Sequence, residues 1–138
     1  MAQRGYSGVS PTLNLLLPAV PANVATARRA ISGLCEHLEI HGEAAGDIRL
    51  AVSEACTACV EHSRGAEGHP RLAIDATVEG DALHVVVRDF AGGLVRGPIG
   101  GGNRGLGMRL VTHLAQHTDV SSLSGGGLRV AMSFPTRP

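Results

Sequence analysis

Lysine is absent from this sequence of 138 residues: all twelve basic side chains are arginine. Its absence removes P-loop nucleotide hydrolases, Schiff-base enzymes and lysine-dependent protein kinases of the common type, each of which needs an ammonium group at a fixed place. Tryptophan is missing too, and aromatic residues make up 2% of the chain, so little is available for stacking on nucleic-acid bases. Net charge is also lacking, with twelve acids against twelve bases, which argues against a general polyanion binder. No stretch approaches the roughly 18 consecutive apolar residues of a membrane span. The three cysteines are odd in number and suit a reducing cytoplasm better than a disulfide framework. With 43% hydrophobic and 17% charged residues, what is present suffices for one packed domain and is too short for two.

Charge is unevenly distributed. Residues 36–87 hold ten of the acids, whereas residues 88–138 hold six arginines against Asp89 and Asp119. The Gly-rich, Arg-bearing last third could therefore receive an anion, with scattered surface arginine as the plainer reading. Residues 1–11 are polar and Gly/Ser-bearing and are expected to form a flexible tail, not a signal peptide.

The run from Thr12 to Leu17, closed by Pro18, predicts a strand. Helical spacing of Val24, Ala27, Ile31, Leu34, Cys35 and Leu38 predicts a helix from Ala22 to about Glu39, with Gly42 as its stop. A second helix is expected from about Glu43 to His62, with Ile48, Ala51, Val52, Ala55, Cys56 and Cys59 on one face. Two strands follow, Leu72–Val78 and Ala82–Arg88, joined by a Gly80-Asp81 turn. A loop with seven glycines, residues 91–105, leads to a third helix over roughly Leu106–His117. Val120–Leu123 and Leu128–Phe134 read as a closing hairpin. The order β-α-α-β-β-α-β-β predicts a two-layer α/β sandwich over residues 12–138, a mixed sheet with the helices on one face.

Three segments carry candidate chemistry: Ser53-Glu54-Ala55-Cys56-Thr57-Ala58-Cys59-Val60-Glu61-His62 on a helix, Asp89-Phe90-Ala91-Gly92-Gly93 at a strand end, and Arg104-Gly105-Leu106-Gly107 opening a helix. A Gly-rich turn ahead of a helix lets backbone N–H groups approach phosphate oxygens, and the helix dipole favours their charge. A carboxylate at a strand end can accept a hydrogen bond from an exocyclic amine such as that of adenine. Glu54 and Ala58, at i and i+4, project from one side of their helix. Cys56-x-x-Cys59 reads as part of an apolar helix face in preference to a redox or metal motif. His113 and His117, at i and i+4 on the third helix, lack an evident third ligand. Met108 and Leu110 read as core.

The segment Ser53–His62 resembles the N-box of the anti-sigma-factor serine/threonine kinases within the GHKL, or Bergerat-fold, superfamily of histidine-kinase-like ATPases, whose usual pattern is Ser-Glu-Ala-x-Thr-Asn-Ala-Val-x-His. Asp89–Gly93 is similar to their Asp-x-Gly-x-Gly box, Gly105-Leu106-Gly107 to their Gly-x-Gly box, and Gly126-Gly127 to their final glycine motif. The resemblance implies that Asp89 accepts the adenine amine of ATP, and that Gly93, Arg104, Gly105, Leu106 and Gly107 form the nucleotide and phosphate turn, with Arg96 as a further donor. It implies that Glu54 is the general base for a partner's hydroxyl and that Arg28 lies near the catalytic region. Three positions depart from the pattern. Ala58 replaces the Asn that ligates Mg²⁺, Ala91 replaces a Gly, and Leu128 replaces a Thr of the adenine network. The implied function is a cytoplasmic, homodimeric anti-sigma factor that binds a sigma factor and phosphorylates a STAS-type antagonist. The alternative is a partner-switching module of the same fold that has lost Mg-ATP chemistry. Neither nucleic acid nor membrane is an expected partner.

Overall fold

The computed structural model describes residues 12–66, 68–90, 106–123 and 126–137. The expected tail at 1–11 and the glycine loop at 91–105 lie outside the described residues. Eight elements follow one another in the expected order: β1 (Thr12–Pro18), α1 (Ala22–His37), α2 (Gly42–His62), β2 (Arg71–Glu79), β3 (Ala82–Phe90), α3 (Leu106–Leu114), β4 (His117–Ser122) and β5 (Leu128–Pro135).

The strands form one five-stranded sheet in the order β1-β2-β3-β5-β4. Each described pairing is antiparallel, so the sheet is not the mixed one expected. The reason is topological. β3 and β4 do run the same way, but the β4–β5 hairpin places β5 between them. Gly80, with φ of 61°, makes the two-residue turn of the β2–β3 hairpin, where Glu79 pairs with Ala82.

Alternation sorts the sheet into two faces. Leu72, Ile74, Ala76 and Val78 of β2 point into the core with Leu83, Val85 and Val87 of β3 and Leu128, Val130, Met132 and Phe134 of β5. Helix α2 lies against β2, β3 and β5 and is flanked by α1 and α3. The six residues expected on its apolar face are all buried. Several are small, which lets the helix axis approach the strands closely; Cys59 Sγ lies 3.8 Å from the Leu128 carbonyl oxygen and 3.9 Å from that of Val87.

Two helix ends differ from expectation. Helix α1 stops at His37 because Glu39 takes a left-handed conformation with φ of 61°. The Glu39 N–H then donates to the Glu36 carbonyl at 3.1 Å and the Ile40 N–H to that of Cys35 at 2.8 Å, a Schellman closure with Ile40 folded into the core. Gly42, expected to end α1, instead opens α2 with φ of 63°. Helix α3 ends at Leu114, so His117 belongs to β4 and forms no helical pair with His113. There Gln116 N–H donates to Ser133 at 2.8 Å, and pairing along β5 overrides the helical spacing. Met108 is buried in the core as expected, whereas Leu110 is only half-buried.

Candidate functional site

Strand β3 sends Leu83, Val85 and Val87 inward, and the next inward position is Asp89, whose exposure is 0%. Arg88 and Phe90 on either side point away, the guanidinium carbon standing 5.3 Å from the ring centre. A carboxylate buried in an apolar stripe must find donors within the fold. Asp89 has two. The Leu128 backbone N–H donates to Oδ1 at 2.6 Å, and His62 Nδ1 lies 3.1 Å from Oδ2. Sheet register supplies the first: Arg88 pairs with Arg129, which sets Leu128 beside Asp89. A glycine makes the approach feasible, since a Cβ on Gly127 would collide with the Asp89 carbonyl oxygen. An ionised carboxylate has about four acceptor positions, so Asp89 retains lone pairs for an incoming N–H donor.

Helix α2 links this end of the site to another. Glu54, Ala58 and His62 stand at i, i+4 and i+8 and form one stripe along the helix. His62, with 11% side-chain exposure, closes on Asp89. Half-buried Glu54 lies under the first turn of α3: a Cβ built on Gly107 would come within 2.6 Å of Glu54 Oε1. The two ends of the stripe are separated by about 12 Å along the helix axis. The strand-end carboxylate and the glycine turn are thus brought to opposite ends of one helical stripe, with the methyl group of Ala58 midway.

Both cysteines of α2 lie on its buried apolar face. Burial pushes the Cys56 thiol up to about 12, and burial together with the Asp89 charge raises that of Cys59 well above its ordinary value. Thiols raised in this way by apolar burial are weak nucleophiles near neutral pH. Among the described residues no group of three His, Cys, Asp or Glu side chains could hold a metal ion. The stripe does not fit a protein-held Mg²⁺ either, because Ala58 has no ligand oxygen and Glu54 is its only carboxylate.

Of the candidate residues, Glu54, Asp89 and Gly107 are joined through α2. Arg28 stands exposed on α1. Leu106 opens α3. Gly93, Arg96, Arg104, Gly105 and Ala91 lie outside the described residues. Leu128 buries its side chain in the core and contributes its backbone N–H, which a reading of side chains overlooks. His62 had no role assigned from sequence; the signal was its place eight residues after Glu54, on the same stripe.

A profile described as the histidine kinase-like ATPase domain matches residues 17–134. The chain belongs to the histidine kinase-like ATPase domain family. Similar to this ATPase-family chain are proteins named serine-protein kinase RsbW. That of Bacillus pumilus is 33% identical over 82 residues, 58% of this chain and 51% of its own length. That of Listeria monocytogenes serotype 4a is 34% identical over 77 residues, 56% of this chain and 49% of its own length. That of Bacillus licheniformis is 32% identical over 111 residues, 80% of this chain and 64% of its own length. The chain thus spans about half the length of the first two relatives. Among solved structures, the RsbU and RsbW domains of a Mycobacterium tuberculosis protein superpose with a TM-score of 0.63 at 20% identity, covering 91% of this chain and 32% of that one. The histidine kinase domain of a blue-light activated kinase from Erythrobacter litoralis gives 0.56 at 25% identity, covering 86% of this chain and 61% of that one. Both solved structures share the fold of this chain. No helix among the described residues is long and apolar enough to cross a membrane.

Proposed function

We propose that this chain is an anti-sigma factor of the serine-kinase type, which binds ATP, holds a sigma factor and phosphorylates a Ser or Thr of a STAS-type antagonist. The observation that carries the reading is Asp89, a fully buried carboxylate held by two donors with acceptor capacity to spare. In this reading the adenine amine donates to Asp89, and the phosphate chain runs along the α2 stripe toward Glu54 and the start of α3. The N-terminus of α3 favours negative charge there. Glu54 takes the proton of the partner's hydroxyl as its oxygen bonds to the γ-phosphorus and the bond from that phosphorus to the ADP oxygen breaks. Phosphoryl transfer rests mostly on positioning and charge neutralisation, and the arginines of the 88–138 segment are available for the second. The partners, a cytoplasmic setting and a homodimeric state are part of the same proposal and rest on the resemblance of the Ser53–His62 segment to the anti-sigma-factor kinases.

Ala58 favours a second reading, a partner-switching module that binds nucleotide without transferring its phosphoryl group. The test is calorimetric titration of ATP, with and without Mg²⁺, into the wild-type chain, Asp89→Asn and Ala58→Asn, paired with phosphotransfer to a STAS-domain protein. Micromolar or tighter ATP binding that is lost in Asp89→Asn, with transfer by the wild type, is the expected result. Transfer only by Ala58→Asn supports the second reading. Absence of nucleotide binding in all three chains overturns both.

A further inference from the structure

One buried group in the site does nothing that the proposed reaction requires of it. His62 closes the last turn of α2 with its ring 3.1 Å from Asp89 and its Nε2 buried without a hydrogen-bond partner among the described residues. An orphaned buried nitrogen is destabilising, and an apolar side chain would fill the space without that penalty. Retaining an imidazole there makes physical sense if Nδ1 has a task. An ionised carboxylate can only accept, so Nδ1 must carry the proton of this contact.

We infer that His62 is the positioning residue that aims Asp89 at the base, so that preference for adenine over guanine depends on the His62 Nδ1–H to Asp89 Oδ2 hydrogen bond. This rests on the nucleotide-binding reading above and extends it to a residue with no assigned role. The two oxygens of Asp89 are held in different ways. Oδ1 is held by a backbone N–H, which belongs to the sheet and is the same for any residue at 128. Oδ2 is held by a side chain, so of the two contacts that set the rotation of the carboxylate about its Cβ–Cγ bond only the one from His62 can be removed by substitution. Adenine presents an N–H donor at its exocyclic position and guanine presents a carbonyl acceptor there. A carboxylate fixed in one rotation accepts from the first and repels the second; a carboxylate free to rotate discriminates less.

The two ring nitrogens can be replaced separately. Asn places an amide donor near the position of Nδ1, and Gln places one near that of Nε2. The experiment is calorimetric titration of ATP and GTP into the full chain, as wild type, His62→Asn and His62→Gln. The expected result is that His62→Asn keeps ATP affinity within about threefold, while His62→Gln loses about tenfold or more for ATP with GTP unchanged. A His62→Gln chain that keeps the wild-type ATP-to-GTP ratio overturns the inference, as does a proportional loss of both nucleotides in both variants. Wild-type chain that binds neither nucleotide overturns the functional reading instead. Nitrogen-15 NMR of the ligand-free wild type gives an independent check: a His62 ring protonated at Nδ1 is expected, and an Nδ1 without its proton overturns the inference whatever the variants do.

Discussion

Gly107 lies so close to Glu54 that a methyl group on it would sit 2.6 Å from the carboxylate oxygen Oε1. The atom in the way is the far end of a flexible side chain, so Glu54 can yield while the helices stay in place. Gly107→Ala is therefore expected to leave stability within about 1 kcal/mol, the helical preference of Ala offsetting the displaced carboxylate. Phosphotransfer is expected to fall by about tenfold or more, because small misplacements of a reacting group are costly. Thermal melting beside a transfer assay separates the two effects; parallel losses in both would show that Gly107 matters only for packing.

The corresponding change at Gly127 has the opposite profile. Its Cβ would strike the Asp89 backbone carbonyl, with Leu123 Cδ1 at 3.1 Å on another side, and a backbone cannot swing away. Gly127→Ala is expected to destabilise the fold by about 1–3 kcal/mol or more, read as a lower denaturation midpoint in urea at unchanged slope.

High pH should unfold this protein through Cys56. Its thiol is raised from 9.0 to about 12 by burial. A folded-state value above the unfolded one means that the folded chain keeps its proton where the unfolded chain releases it. The stabilisation is therefore fully present below about pH 9 and is lost as pH rises toward 12, at about 1.4 kcal/mol per unit for this one group. Urea midpoints measured at pH 8, 10 and 11 should decline, and Cys56→Ala should flatten the decline. A thiol-alkylating reagent at pH 8 should leave Cys56 and Cys59 unmodified until denaturant is added.

Glu39 offers a stabilising substitution. It occupies the left-handed position of the α1 closure, with φ of 61°, where a side chain is strained and glycine is not. Glu39→Gly should raise stability by about 0.5–1 kcal/mol, seen as a higher melting temperature. An unchanged or lower value would place the cost of the closure elsewhere.

Much of the architecture was legible from residue spacing. Alternation marked the two central strands, an apolar run closed by Pro18 marked the first, and the apolar face of α2 was readable from Ile48 to Cys59 because burial of a helix leaves its period in the sequence. The misread boundaries have a common cause. At Glu39 and again at Gln116, hydrogen bonds of the folded chain overrode a local pattern that continued past them. Within the site, Glu54, Asp89 and Gly107 stood out by type and place. His62 and the Leu128 N–H did not, since one was a motif member without a stated task and the other carries no side-chain signature.

Residue order alone determined the element types, the apolar stripes and the chemical inventory, including a methyl group at Ala58 where the family resemblance implies a metal ligand. These are properties of neighbours along the chain, set by periodicity and side-chain chemistry. Tertiary structure alone decided that β5 enters between β3 and β4, and so delivers the Leu128 N–H and the bare Cα of Gly127 to Asp89. The Leu128–Asp89 contact joins residues 39 positions apart, and only the closing of the sheet beneath α2 brings them within hydrogen-bonding distance.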